Sequence, residues 1–133
     1  MAEAIARHAL REGLLGDPAD YFVASAGVHA PDGSPVTPET VAALERLGIA
    51  CEGRSTPLSA QMVAGADHVF CMTESHMEVV QHLAGPEQSH KIDLLDPSGD
   101  VADPIGMGQD AYDSLAKTMM TLVPARLKEV YQS

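Results

Sequence analysis

The apolar positions of this chain alternate between helical spacing and short strand-like runs. Ala2 to Glu12 is dense in helix formers, sets Glu3 and Arg7 four positions apart, and stops at Gly13, a residue suited to closing a helix. Tyr21 to Ala26 (YFVASA) has strand propensity and ends near Ser25, and the stretch from His29 to Pro38 is a loop heavy in Pro, Gly, Asp and Ser. Thr37 predicts an N-cap, with Pro38 at the first helical position, Glu39 in the first turn, Val41, Leu44 and Leu47 on one face, and Gly48 at the close. His68 to Met72 (HVFCM) suits a buried strand. Thr73 then opens a helix through Met77, Val80 and Leu83 to Gly85-Pro86. Lys91 to Leu95 is a third candidate strand, followed by a long polar loop from Asp96 to Gln109. From Asp110, the positions Tyr112, Leu115, Met119, Val123, Leu127 and Val130 keep a helical period. Pro124 sits inside it, where it removes one backbone bond and crowds the carbonyl of Met120, at roughly 3 kcal/mol or a kink.

Strands that alternate with helices in this order predict an α/β fold with a parallel sheet. A chain of 133 residues with 45% apolar content can bury one sizeable core but not two, so one domain over residues 1–133 is expected. Repeats, low-complexity tracts and linkers are absent from the sequence.

Charge narrows the function classes. A formal charge of -11, with no cluster of Lys and Arg to reverse it locally, argues against nucleic acid as a partner. No apolar run approaches the ~20 residues of a membrane helix, and MAEAIARHAL is helical and charged rather than signal-like, so no membrane association and a cytoplasmic location are expected. Cys51 and Cys71 are too few for a disulfide framework and lack the spacing of a zinc site. Cys71, inside an apolar run, reads as a small buried hydrophobe, and Cys51 has no assigned role. His29, His76 and Asp32 have no metal-ligand spacing, so no metal site is expected.

Five segments in order, MAEAIAR, SAGVHAPDGSPVTPETVAALERLGI, RSTPLS, ADHVFCMTESH and DVADPIGMGQDAY, resemble the low-molecular-weight protein tyrosine phosphatases over nearly the whole chain. The resemblance implies a three-layer α/β domain on a parallel sheet of order 2-1-3-4. It also implies a hydrolase acting on phosphorylated proteins through a phosphocysteine intermediate, with no metal and no organic cofactor. In this family an Asp followed by Pro on the late loop protonates the leaving group, and Asp103 with Pro104 matches it. Without the family, Asp-Pro is an ordinary turn initiator. The resemblance further implies that Ile105 is a pocket wall, that His29 lies near bound substrate, and that the hydroxyl of Ser25 helps hold the phosphate loop. Taken alone, Ser25 reads equally as a strand-end serine satisfying local backbone. The histidine that often props the loop is replaced here by Gly53 or Arg54.

One part of the family pattern is missing from these residues. The phosphate loop has the form Cys-x5-Arg, yet the sixth residue after Cys51 is Pro57 and the sixth after Cys71 is Met77. The first strand and its loop are therefore expected to be absent, with MAEA following where they would end. A start assigned too late, or a truncated chain, is expected ahead of an evolved loss. The chain alone is expected to be inactive, because thiolate, arginine and phosphate cradle are all in that loop. The alternative is a non-catalytic interaction domain that binds a partner through Asp96 to Gln109. Arsenate reductases of this fold need further cysteines, and none occurs from Met72 to Ser133. The single DPIG, without paired aromatics beside the acid, leans toward bacterial arginine phosphatases, with tyrosine phosphatase as the broader label.

Overall fold

Helix α1 (Ala2–Arg11) forms as its composition requires: Glu3 and Arg7 pair at 3.5 Å, and Ile5, Ala6 and Leu10 are buried. This computed structural model describes residues 1–27, 37–50, 56–102, 104 and 106–131. Helix α2 (Pro38–Arg46) starts where the capping signal places it, with Thr37 Oγ1 accepting from the Thr40 N–H at 3.4 Å. A third helix, α3 (Ala60–Gly65), is capped by Ser59, whose Oγ accepts from the Met62 N–H at 3.2 Å. The sequence reading missed α3, because six residues ending in glycine are too short to display a helical period.

Strand β1 (Val69–Cys71) leads through the N-cap Thr73 into α4 (Glu74–Ala84), and β2 (Ile92–Leu94) follows. The two strands pair in parallel, with Val69 opposite Ile92, Phe70 opposite Asp93 and Cys71 opposite Leu94. Alternation along the strands sorts the core into two faces. Val69, Cys71 and Ile92 pack with Val63 of α3 and with Val80 and Ala84 of α4. Phe70, Met72 and Leu95 pack on the other side with Ile5, Leu44, Met119 and Val123. The result is three layers, helices on both faces of a parallel sheet, as expected of an α/β chain.

Helix α5 (Gln109–Tyr131) runs through Pro124, forfeiting one backbone bond while its neighbours stay helical. Its buried face is Tyr112, Ala116, Met119, Val123 and Arg126. The expected apolar series continued to Leu127 and Val130; Leu127 is partly buried against the core, and Arg126 joins the buried face unforeseen. Its Nη2 donates to the Leu94 carbonyl at 3.0 Å, Nη1 pairs with Glu129 at 2.9 Å, and the guanidinium lies 5.4 Å from the centre of the Phe70 ring. A long side chain with this many partners can be buried where a bare charge could not.

The segment Tyr21–Ala26 differs from the strand expected there. It has no ladder partner among the described residues, and the next residue, Gly27, makes an isolated parallel bridge to Pro57. Extended propensity reflects side chains that suit a pleated surface, and a strand forms only where a neighbouring backbone offers its N–H and C=O groups. The segment is held by α1 instead, Arg7 Nη2 donating to the Val23 carbonyl at 2.7 Å.

Candidate active site

Parallel strands that end in register deliver their following loops to the same edge of the sheet, where α/β proteins place ligands. Beyond Cys71 and Leu94 the pairing continues into those loops: the Leu95 N–H donates to the Cys71 carbonyl at 2.8 Å, and the Val101 N–H to the Met72 carbonyl at 2.7 Å. The loop that carries the Asp-Pro pair is thereby fastened to the end of β1.

Its first part is an Asp-initiated turn. The Asp96 carboxylate accepts from the Ser98 N–H at 2.8 Å, and its carbonyl from the Gly99 N–H at 3.1 Å. Asp100 then accepts the Glu74 N–H at 2.8 Å, at the start of α4, while Thr73 Oγ1 accepts the His76 N–H at 3.1 Å. Two of the four N–H groups that a helix start leaves unpaired are satisfied this way. The second part of the loop turns at Pro104, whose carbonyl accepts from the Met107 N–H at 3.0 Å. Gly106 and Gly108, at φ of 78° and 88°, occupy the left-handed region that favours glycine. At the start of α5, Gln109 Nε2 donates at 2.9 Å both to the Glu39 carbonyl and to Asp113, and Asp113 forms an ion pair with Arg46 of α2.

Asp103, Ile105 and His29 lie outside the described residues, as does Cys51. Pro104, next to Asp103, is buried. Ser25 is exposed, and its hydroxyl donates to Glu3 Oε1 at 2.9 Å rather than to local backbone. Because Ser25 meets Glu3 and Val23 meets Arg7, the segment runs antiparallel to α1 and brings Ser25 beside the first helical turn. That turn is the positive end of the helix dipole, and Met1 supplies no side-chain cap to it. Met1, Val23, Met72 and Val101 all pack against the same core cluster, which ties α1, the segment after it and the loop with the Asp-Pro pair to one support.

The thiol of Cys71 is no candidate nucleophile. The residue is buried, and burial, followed by the nearby Asp93 charge, pushes the thiol up to about 11. Catalytic thiolates need the opposite environment. A shallow depression lined by Glu78, Gln81, His82, Gly85, Pro86 and Ser89 lies along the later turns of α4 and the residues that follow it. Among the described residues no three His, Cys, Asp or Glu side chains converge as a metal site would require, and no helix is long and apolar enough to cross a membrane.

Sequence reasoning missed Glu3, Arg7 and Asp100 as parts of this arrangement. Glu3 and Arg7 were visible as a helical pair, but their bonds to Ser25 and Val23 span 22 and 16 residues. The bond from Glu74 to Asp100 spans 26 and leaves no local signal.

Comparison with known proteins identifies the family. The family model for low molecular weight phosphotyrosine protein phosphatase matches residues 1–133. A curated relative, the protein-arginine-phosphatase of Bacillus subtilis (strain 168), is 32% identical over 135 residues, covering 98% of this chain and 87% of the relative. The crystal structure of a YwlE mutant from Bacillus subtilis superposes with a TM-score of 0.84 at 32% identity, over 97% of this chain and 87% of that one. A low molecular weight protein tyrosine phosphatase from T. tengcongensis gives 0.83 at 31% identity, over 96% and 88%. On its whole-length match and its three-layer architecture, this chain belongs to the low molecular weight phosphotyrosine protein phosphatase family.

Proposed function

We propose that this chain supplies the scaffold and the general acid of a cysteine-dependent phosphoprotein phosphatase, with phosphoarginine preferred over phosphotyrosine. The observation that carries this reading is its similarity, over 98% of its length, to a protein-arginine-phosphatase. The single Ile105 after Asp103-Pro104, in place of paired aromatics, supports the arginine preference.

In the reaction proposed, a thiolate attacks phosphorus and the bond from phosphorus to the substrate nitrogen or oxygen breaks, leaving a phosphocysteine. Asp103 gives its proton to the departing atom, then takes one from the water that hydrolyses the phosphocysteine to release inorganic phosphate. Ile105 would wall the substrate pocket, His29 would lie at its rim, and Pro104 and Ser25 would act on loop shape. A mechanism that needs a free thiolate suits the reducing conditions of the cytoplasm.

The 133 residues contain no Cys-x5-Arg, and Cys71 is buried with a raised thiol. Alone they should therefore turn over no phosphorylated protein. The same observation favours a second reading, a non-catalytic interaction domain that binds partners through the loop from Asp96 to Gln109.

Hydrolysis of phosphoarginine and phosphotyrosine peptides by residues 1–133, and by the same chain preceded by an apolar strand and a Cys-x5-Arg-Ser-Pro loop, separates these readings. Turnover is expected from the extended chain alone, with phosphoarginine favoured by roughly tenfold or more. Cysteine-dependent turnover by the short chain would contradict the proposal, and an extended chain idle on both substrates would favour the interaction domain.

A further inference from the structure

The anchored part of the loop lies next to the proposed acid. We infer that Asp100 is a positioning residue for Asp103: its carboxylate, bonded at 2.8 Å to the Glu74 N–H, sets where the acid-bearing loop leaves the edge of the sheet. This inference rests on the reading of Asp103 as the general acid.

Three observations carry it. The bond joins groups 26 residues apart, so it links the loop to the rigid unit of β1 and α4 rather than shaping the loop on itself. Thr73 caps α4 by accepting the His76 N–H, so the helix start keeps a side-chain cap when Asp100 is changed. The neighbouring Val101 N–H reaches the Met72 carbonyl at 2.7 Å, making a two-point attachment to the residues that flank Thr73.

Chain geometry turns this attachment into a constraint. Asp103 is three residues beyond Asp100 and two beyond Val101 in the sequence, so only a few backbone dihedrals separate it from the second anchor. Beyond Asp103 the chain is held again, by the turn from Pro104 to Met107 and by Gln109 on α2. An acid carried by a short segment fixed at both ends reaches its proton acceptor with little reorganisation, and misplacement by about 1 Å can lower a rate a hundredfold. The Glu74 N–H lies at the positive end of α4, where a carboxylate forms the stronger, charge-assisted class of hydrogen bond.

The bond can be removed from either side. Asp100→Ala deletes the acceptor, and Asp100→Asn keeps an oxygen in its place. Glu74→Pro deletes the donor at the first helical position, where proline is well tolerated, and Glu74→Ala keeps that donor. Hydrogen exchange at the Val101 and Ala102 amides and the carboxyl-carbon resonance of Asp103 are followed by NMR in the 133-residue chain. Asp100→Ala and Glu74→Pro should each speed exchange at Val101 by about tenfold and displace the Asp103 resonance. Asp100→Asn and Glu74→Ala should leave Val101 exchange as in the parent, and amides in the core around Ile5 and Met119 should be unchanged throughout. The Ala and Asn variants remove the same charge, so a difference between them at Asp103 reports the hydrogen bond.

Equal exchange at Val101 in all five proteins would overturn the inference, as would Asp100→Asn proving as disruptive as Asp100→Ala. If Asp100→Ala fails to fold, the Glu74 pair decides the question with the acceptor intact. Whether Asp103 is the acid is judged separately, from turnover by the loop-extended chain with Asp103→Ala. Loosening of the loop alongside an idle Asp103 would sink the acid reading and leave the anchor standing.

Discussion

Two stretches of similar strand propensity have different fates in this molecule. Val69–Cys71 lies in a parallel ladder with Ile92–Leu94 and is covered on both faces by apolar helices. Tyr21–Ala26 has no ladder partner among the described residues, with Phe22 at 89% exposure, and is held by two side chains of α1. A neighbouring backbone and two covered faces, more than propensity, make a strand.

That contrast can be tested by substitution. Ile92→Ala, at a buried position facing α3 and α4, should destabilise by about 2–5 kcal/mol in denaturant unfolding. An effect below 1 kcal/mol would mean that the paired region is not the packed one. Phe22→Ala, by contrast, should stay within roughly 0.5 kcal/mol of the parent, the smallest effect expected here.

Ionisation sharpens the same comparison. Cys71 is raised to about 11 in the fold, so the unfolded chain ionises first as pH rises. The stabilising contribution of the neutral buried thiol is complete below pH 9 and is lost as pH climbs through 11. Unfolding curves from pH 8 to 11 should show this fall, and Cys71→Ala should flatten it. Thr73→Ala, which removes the cap of α4, should lower stability by about 1 kcal/mol while leaving the ladder intact.

His68 moves the other way. Burial is the leading cause of its lowered pKa and Arg126 adds to it, while Asp93 opposes both. Its contribution is therefore present above 6.5 and lost as pH falls, and His68→Gln should flatten the acid side of the stability profile between pH 5 and 7.

Much of the architecture was legible in the sequence for identifiable reasons. Thr37-Pro38-Glu39 marked the start of α2, and Thr73 marked that of α4, because a cap needs few residues and states its own chemistry. The buried face of α5 was readable at Tyr112, Met119 and Val123, with Leu127 partly buried beyond them, whereas Arg126, with partners on β2 and on its own helix, was not foreseen. Ser25 could be chosen but its partner could not, because Glu3 reaches it only once α1 and the segment after it lie antiparallel. The Asp103-Pro104 pair is a local signal that names a candidate acid, whereas Asp100 required the fold, since nothing local connects it to Glu74.

The central claim is that Asp103 protonates the leaving group, and the dependence of rate on leaving-group basicity tests it most directly. In the chain extended through a Cys-x5-Arg loop, hydrolysis of a series of aryl phosphates would be compared between Asp103 and Asp103→Asn. The account predicts a loss of roughly 10²- to 10⁴-fold for poor leaving groups such as phenol, shrinking toward none for strongly acidic nitrophenols. A loss that is the same across the series, or no loss at all, would contradict it.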